Sequence, residues 1–306
     1  MMSMTKPIVS VALMMLYEEG HFLLDDPITN WIPELEGKKV LNGVESRVSA
    51  ERPVTIRHVL THTSGLDPNR DQLSDDERAY LRREATVEKT LLKRATLPLN
   101  FQPGERWQYG SSTDYVALLV ERISGESMDD YLRERIFEPL GMLDTHYNVP
   151  ESKVDRVAAV YRPSEADKTI DLAYAPSYRE PTTYFPGTYG LSSTAADYFK
   201  FQQMVLNGGV LNGVRLLSPK TVNLMITNHT GDRSIYIRGP GYGFGLGYSV
   251  LRDPGLAKEP LTPGSFSWGG AWGTIFWVDP AEEMIGIMLT QITSYRHLTV
   301  RQDFST

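Results

Sequence analysis

The stretch Ser3-Met4-Thr5-Lys6-Pro7 and the apolar run of residues 8–16 that follows it decide how this chain folds. The run is apolar almost all the way round a helix and stops at Glu18-Glu19-Gly20. Because a helix without a polar face must be buried on every side, the sequence predicts a central helix against which the other elements pack.

Ser3 and Lys6 form a candidate nucleophile and base at the start of this helix. Residues three positions apart lie one turn apart on the same helical face, so the hydroxyl and the amine are predicted to be neighbours. A helix N-terminus also offers unpaired backbone N–H groups for an oxyanion and a positive dipole end that favours a neutral, basic Lys6. A motif this short also arises by chance, and a serine at a helix start is often only a cap. The lysine argues against that alternative, since a buried helix seldom carries a cation without a partner.

Length and composition predict a soluble protein with a large core. The chain has 306 residues, 41% of them hydrophobic, enough for one large domain or two interleaved subdomains. A net charge of -7 without a basic run argues against nucleic acid as a partner. The absence of cysteine excludes disulfides and zinc–thiolate sites, and no metal or cofactor is predicted. The longest apolar run is too short for a membrane span, and we expect the cytoplasm rather than the periplasm or secretion.

The first two thirds of the chain read as mainly helical. Thr55, Ser74 and Thr86 are typical helix caps, and a further helix is predicted over 113–123, directly after the loop that carries Tyr109. An aromatic, proline-rich loop contains Tyr178, Tyr184, Phe185 and Pro186, and it is predicted either to line a pocket or to pack as a plug.

The last third of the chain reads as strands. Residues 241–248 alternate glycine with bulky side chains, and 265–272, 274–278 and 284–289 predict an antiparallel meander with a turn at Asp279-Pro280. The fold class is therefore α/β in the α+β sense, with an antiparallel sheet flanked by helices plus a mainly helical subdomain. We expect one catalytic unit, 1–306, in which 1–200 form the helical part and 201–306 the sheet part.

Ordered motifs across the chain resemble one superfamily of serine enzymes. In order they are Ser3-Met4-Thr5-Lys6, His62-Thr63-Ser64-Gly65-Leu66, Tyr109-Gly110-Ser111, Pro139-Leu140-Gly141-Met142, Gly190-Leu191-Ser192-Ser193-Thr194 and Trp268-Gly269-Gly270. Together they resemble the serine β-lactamases and penicillin-binding proteins, in the class C branch, and are most similar to family VIII carboxylesterases. The resemblance implies the β-lactamase/transpeptidase-like fold.

The resemblance also implies a role for each matching residue. Ser3 would be acylated, Lys6 would be its base, and Tyr109 would relay protons, although without the other motifs Tyr109 would read as a packed core aromatic. The backbone N–H groups of Ser3 and Ala271 would form the oxyanion hole. Ser111, Trp268, Gly269 and Gly270 would contact the substrate, and the two glycines would let the strand backbone approach it closely.

Two departures from the β-lactamase pattern favour an ester substrate. Trp268 supplies no charge where lactamases and peptidases have a cation or a small polar residue, and Ser111 replaces an asparagine that binds the substrate amide. Both weaken recognition of an acylamino-carboxylate and leave acyl transfer intact. A carboxylesterase acting on short-chain acyl esters is therefore predicted. The alternatives are a β-lactamase or D-stereospecific peptidase acting on a β-lactam-like substrate, and a non-catalytic binding protein. His62 is expected to stabilise its loop by a hydrogen bond rather than to take part in catalysis.

The ends of the chain differ from the family pattern. The family's N-terminal strands and its C-terminal helix are expected to be missing. Two explanations stay open: the chain is a fragment, or another subunit of a homo-oligomer completes an exposed sheet edge.

Overall fold

A central helix, α1, spans Thr5–Glu18 in the computed structural model, which describes residues 1–43, 46–164, 169–175, 180–293 and 298–305. Residues 5–16 of α1 are all buried, as the apolar run predicted. Helix α5 packs along α1, and its own apolar residues continue the same core. The helices of the described chain are α1 Thr5–Glu18, α2 Ile56–Leu60, α3 Asp75–Ala79, α4 Val87–Arg94, α5 Ser112–Ser124, α6 Met128–Leu132, α7 Glu138–Leu140, α8 Ala195–Leu206, α9 Pro219–Met225, α10 Pro254–Ala257 and α11 Val300–Ser305.

The helix caps follow the sequence closely. The side chains of Thr55, Ser74 and Thr86 each accept a hydrogen bond from the backbone N–H three residues ahead, at the starts of α2, α3 and α4. Each cap satisfies a donor that the helix itself cannot pair. The predicted caps are confirmed. Helix α2 ends at Leu60, so the His62 motif lies in the loop after it.

The largest sheet is an antiparallel meander of five described strands in the order β11-β10-β9-β8-β7. The predicted turn at Asp279-Pro280 connects β10 to β11. The strands of the described chain are β1 Lys39–Leu41, β2 Arg47–Ser49, β3 Val160–Pro163, β4 Ile170–Tyr174, β5 Val210–Leu211, β6 Val214–Arg215, β7 Tyr242–Phe244, β8 Ser249–Leu251, β9 Phe266–Gly269, β10 Ile275–Asp279 and β11 Met284–Met288. The smaller pairs β1–β2, β3–β4 and β5–β6 stand outside the meander.

The alternating stretch 241–248 does not form one continuous strand. It forms β7 and then turns back into β8, with Phe244 paired to Ser249. Gly247 in the turn has a φ of 96°, a left-handed conformation that glycine adopts without steric cost. The alternation of glycine with bulky residues therefore covers one strand of the hairpin, β7, and the turn that follows it.

The aromatic loop packs into the body of the protein. Tyr184 is 6% exposed, and the ring of Phe185 lies 5.2 Å from the ring of Tyr147, measured between centroids. The Tyr147 hydroxyl donates a hydrogen bond to the Pro186 carbonyl. Of the two interpretations, the structure favours the packed plug for residues 184–186, whereas Tyr178 lies outside the described residues.

A short helix, α11, lies near the C-terminus. It spans Val300–Ser305, and the Thr299 hydroxyl donates to the Asp303 carboxylate across its first turn. The Phe304 ring lies 6.4 Å from the ring of Trp277 on β10, so this helix rests against the sheet. Within the described ranges, none of the helices combines the length and apolar character needed to span a bilayer.

Buried side chains from the α-helices and from the sheet belong to one cluster, which runs from Met4 and Ile8 on the α1 side to Phe266 and Phe276 in the meander. The division into a helical part, 1–200, and a sheet part, 201–306, stays a prediction.

Candidate active site

Ser3 and Lys6 meet at the entrance to the central helix. Ser3 lies in a single 3-10 turn, Met2–Met4, and α1 begins only at Thr5, so the nucleophile candidate precedes the α-helix rather than opening it. Lys6 Nζ nevertheless lies 3.2 Å from Ser3 Oγ, within hydrogen-bonding distance. Ser3 is half-buried and Lys6 is 3% exposed, so the amine faces the hydroxyl from the protein side.

The Lys6 amine is held by two further groups. Its Nζ donates to the Thr188 carbonyl at 2.8 Å and lies 4.7 Å from the centroid of the Tyr109 ring. Asp114 Oδ1 in turn accepts hydrogen bonds from the Thr188 N–H at 2.9 Å and from its hydroxyl at 2.7 Å. Burial raises the pKa of Asp114, while the two hydrogen bonds from Thr188 act in the opposite direction. Asp114 thus holds Thr188, the residue whose carbonyl accepts the hydrogen bond from the lysine.

Tyr109 stands between Lys6 and the last strand motif. Trp268 Nε1 donates to the Tyr109 hydroxyl at 3.4 Å, and the two ring centroids are 5.2 Å apart. The Tyr109 N–H donates to the hydroxyl of Tyr236, a residue 59% exposed. The structure therefore brings Ser3, Lys6, Tyr109 and Trp268 together, although the contact of the Tyr109 hydroxyl is with the indole.

His62 lies directly behind Tyr109 in a cage of aromatic rings. Its ring centroid is 5.1 Å from that of Tyr109, 5.3 Å from Phe244 and 6.0 Å from Trp107. Burial, helped by the charge of Lys6, lowers the pKa of His62 to about 3. The loop hydrogen bond expected of the side chain comes instead from the main chain, where the His62 carbonyl accepts from the Gln108 N–H at 2.9 Å. Nδ1 has no hydrogen-bond partner among the described residues.

Ser111 is tied to a carboxylate. Its hydroxyl donates to Asp67 Oδ1 at 2.5 Å, and its N–H donates to Oδ2 at 2.9 Å. Asp67 therefore braces the loop that presents Tyr109. Contact of Ser111 with a substrate stays a prediction, and such a contact would compete with this bond.

The Trp268-Gly269-Gly270 segment approaches the residues that precede Ser3. A Cβ atom at Gly270 would lie 2.3 Å from the Met1 carbonyl oxygen and 3.0 Å from Met2 Cβ, so the strand end lies against the residues that precede Ser3. Ala271 follows at an exposed position, and its N–H has no acceptor in the described parts of the chain. The two residues predicted to supply the oxyanion donors, Ser3 and Ala271, are therefore each one position away from residues in close contact, Met2 and Gly270. Their role as donors stays a prediction.

Sequence reasoning missed three residues that hold this site together: Asp67, Asp114 and Thr188. The signal for Asp114 was present, because a carboxylate in the first turn of a mainly apolar helix needs a buried partner, the same argument that identified Lys6. Thr188 acts through contacts with residues far away in the sequence, and no local pattern marks it.

The antiparallel meander and the buried central helix belong to a β-lactamase/transpeptidase-like fold. The chain belongs to the Beta-lactamase family, which it matches over residues 1–302. The predicted resemblance and fold class are thereby confirmed.

Named relatives place the chain among hydrolases and acyl-transfer enzymes. Protein Rv1367c of Mycobacterium tuberculosis is 37% identical over 304 residues, covering 94% of this chain and 76% of that protein. Esterase EstB of Burkholderia gladioli is 30% identical over 322 residues, covering 97% and 78%. The structure of EstCE1, a hydrolase with promiscuous acyltransferase activity, superimposes with a TM-score of 0.80 at 24% identity, covering 100% of this chain and 84% of that one. The family's relatives include both esterases and acyltransferases.

Proposed function

We propose that this protein is a serine carboxylesterase that cleaves short-chain acyl esters through an acyl-enzyme on Ser3. The observation that carries the proposal is the distance of 3.2 Å between Lys6 Nζ and Ser3 Oγ in a cleft faced by the Trp268-Gly269-Gly270 strand. A hydroxyl is a weak nucleophile until a base accepts its proton, and an amine at this distance is placed to do so.

The reaction begins at the side chain of Lys6. Its amine takes the proton from Ser3 Oγ, which attacks the ester carbonyl carbon, and the carbonyl oxygen becomes an oxyanion held by the N–H groups of Ser3 and Ala271. The C–O bond to the alcohol then breaks, and the alcohol leaves with the proton from Lys6, relayed by Tyr109. Water attacks the acyl-enzyme by the reverse relay and releases the carboxylic acid.

A neutral ester suits the groups that face the cleft. Trp268, which is 3% exposed, contributes an indole and Tyr109 a phenol, and neither ring carries a positive charge for a substrate carboxylate. The Ser111 hydroxyl is engaged by Asp67. These features support an ester over a β-lactam or a D-peptide, because recognition of those substrates uses their carboxylate and amide groups.

Acyl transfer to an alcohol is a second candidate. Acyltransferase calJ of Penicillium decumbens is 30% identical to this chain, and the same acyl-enzyme serves either outcome. The two reactions differ only in whether water or an alcohol attacks the Ser3 ester.

The proposal is tested by labelling and turnover together. The purified protein is incubated with p-nitrophenyl butyrate and with a fluorophosphonate, and intact mass and released nitrophenol are measured. We expect one covalent adduct on Ser3. Ser3→Ala and Lys6→Ala should lower kcat by at least about 10³-fold, as removal of a nucleophile or its base does in related chemistry.

Ser10→Ala is the matched control, because Ser10 lies on the same helix but is 1% exposed and takes no part in the proposed chemistry. It should retain the parent kcat. Ester hydrolysis by the Ser3→Ala variant would refute the mechanism. Hydrolysis of a cephalosporin chromogen much faster than of the ester would favour the lactamase or peptidase, and an unmodified, inactive parent protein would favour a binding protein.

A further inference from the structure

Arg301 on α11 lies against the turn that joins β9 to β10. Its Nη2 donates to the Thr274 carbonyl at 2.7 Å and also to the Gly270 carbonyl. The Gly270 N–H closes the same turn by donating to the Thr274 carbonyl at 2.8 Å. One guanidinium nitrogen therefore ties both ends of the turn that contains Ala271.

The Gly270 carbonyl and the Ala271 N–H belong to one peptide group. In a trans peptide the C=O and the N–H point in opposite directions, and cis bonds are absent from the described chain. Because Arg301 holds the carbonyl on the side of α11, the N–H is turned the opposite way. A Cβ at Gly270 would touch Met1 and Met2, so this peptide lies beside the turn that carries Ser3.

We propose that Arg301 is a positioning residue that orients and polarises the Gly270–Ala271 peptide, so that its N–H stabilises the oxyanion formed on Ser3 acylation. The inference rests on the proposed function. A cationic donor makes a stronger hydrogen bond than a neutral one, and a peptide whose carbonyl accepts such a bond becomes a better N–H donor on its other side.

The same turn is fastened to the nucleophile segment. The Thr274 hydroxyl donates to the Met1 carbonyl at 3.2 Å, so Arg301, the turn and the residues before Ser3 form a continuous set of contacts. The Gly273 N–H also donates to the Gly270 carbonyl, at 3.2 Å, so loss of the guanidinium would leave this carbonyl with only a neutral donor and would remove neither oxyanion donor. Loss of a whole oxyanion donor lowers kcat by about 10²–10³-fold, and we expect a smaller fall, of about 10-fold, for loss of the guanidinium.

The test compares Arg301→Met with Arg301→Lys in steady-state hydrolysis of p-nitrophenyl butyrate. The methionine variant should lose about 10-fold in kcat with KM nearly unchanged, since the oxyanion exists only after attack. The lysine variant keeps a cation and should lose less. Arg252→Met is the matched control, because the Arg252 guanidinium donates to the Gly231 carbonyl at 2.7 Å on an exposed part of the surface, and it should behave as the parent.

Chemical rescue separates a local effect from weakened docking of α11. Ethylguanidinium added to Arg301→Ala should restore part of kcat without raising the melting temperature. A parent-like kcat for Arg301→Met would overturn the inference, and so would a loss that follows the melting temperature and is not rescued. A parent protein that neither hydrolyses the ester nor takes the fluorophosphonate would remove the proposed function as well, whereas an active parent with an unaffected Arg301→Met removes only this inference.

Discussion

The replacement Gly270→Ala measures how closely the sheet must approach the nucleophile. Its Cβ would lie 2.3 Å from the Met1 carbonyl oxygen and 2.3 Å from Thr274 Oγ1, about 1 Å short of ordinary van der Waals contact. The Thr274 side chain can rotate, but the Met1 oxygen belongs to the backbone, so the strand must move away from Ser3. Because a displacement of about 1 Å at a reacting centre can cost about 10²-fold, we expect a fall in kcat of that order.

The assay is steady-state hydrolysis of p-nitrophenyl butyrate, with thermal unfolding measured on the same samples. Gly270 does not have a positive φ, so alanine brings no backbone strain of its own and the effect is purely steric. Gly255→Ala in α10 is the control, since its Cβ would meet only a side-chain oxygen of Asp253 at 3.3 Å. A Gly270→Ala variant that folds and keeps the parent kcat would refute the close approach of this strand to Ser3.

Two further predictions concern buried groups behind the cleft. Asp114→Ala should lower kcat about 10-fold or more. Asp114→Asn should lower kcat less, because the asparagine keeps an oxygen that can accept hydrogen bonds from Thr188. Equal kcat values for the two variants would contradict the role of Asp114 in placing Lys6. The pKa of His62 is 6.5 in the unfolded chain and about 3 in the folded protein. As the pH falls below 6.5, the unfolded chain binds a proton that the folded protein does not, so the free energy of unfolding decreases. This amounts to about 2 kcal/mol at about pH 5, and His62→Phe should show a correspondingly smaller loss of urea stability between about pH 7.5 and about pH 5 than the parent. Equal losses in the two proteins would exclude this role of His62.

The parts of the fold that could be predicted are those fixed by local patterns. An apolar run with no polar face can only be an interior helix, which gave α1, and a hydroxyl that caps a backbone N–H three residues ahead gave the starts of α2, α3 and α4. The β10–β11 hairpin could also be predicted from a local pattern, because Asp279-Pro280 is a typical turn sequence. Each of these signals lies within about one helical turn or one hairpin of the structure it specifies.

The contacts that complete the site depend on tertiary structure and were not predictable. The Lys6 amine meets a carbonyl 182 residues away, and the Thr274 hydroxyl meets one 273 residues away. Such contacts depend on how the helices and the sheet pack. Every residue has a backbone carbonyl, so the sequence does not indicate which carbonyl will accept a hydrogen bond. The same reason explains His62, whose loop position suggested a side-chain hydrogen bond, whereas three aromatic rings from distant segments enclose it.

In the proposed cycle, the residues around Ser3 decide whether an acyl-enzyme forms, but they do not decide what removes the acyl group. Lys6 and the two N–H donors serve attack by water and attack by an alcohol equally, because both pass through the same oxyanion. The choice therefore depends on which acceptor the rim of the cleft retains. Tyr236 lies next to Tyr109, whose N–H donates to its hydroxyl, and the residue is 59% exposed, so in the proposed cycle its aromatic ring would favour the hydrocarbon part of an alcohol over water. Esterases and acyltransferases of one family can thus share the first half-reaction and differ at residues outside the Ser3–Lys6 pair.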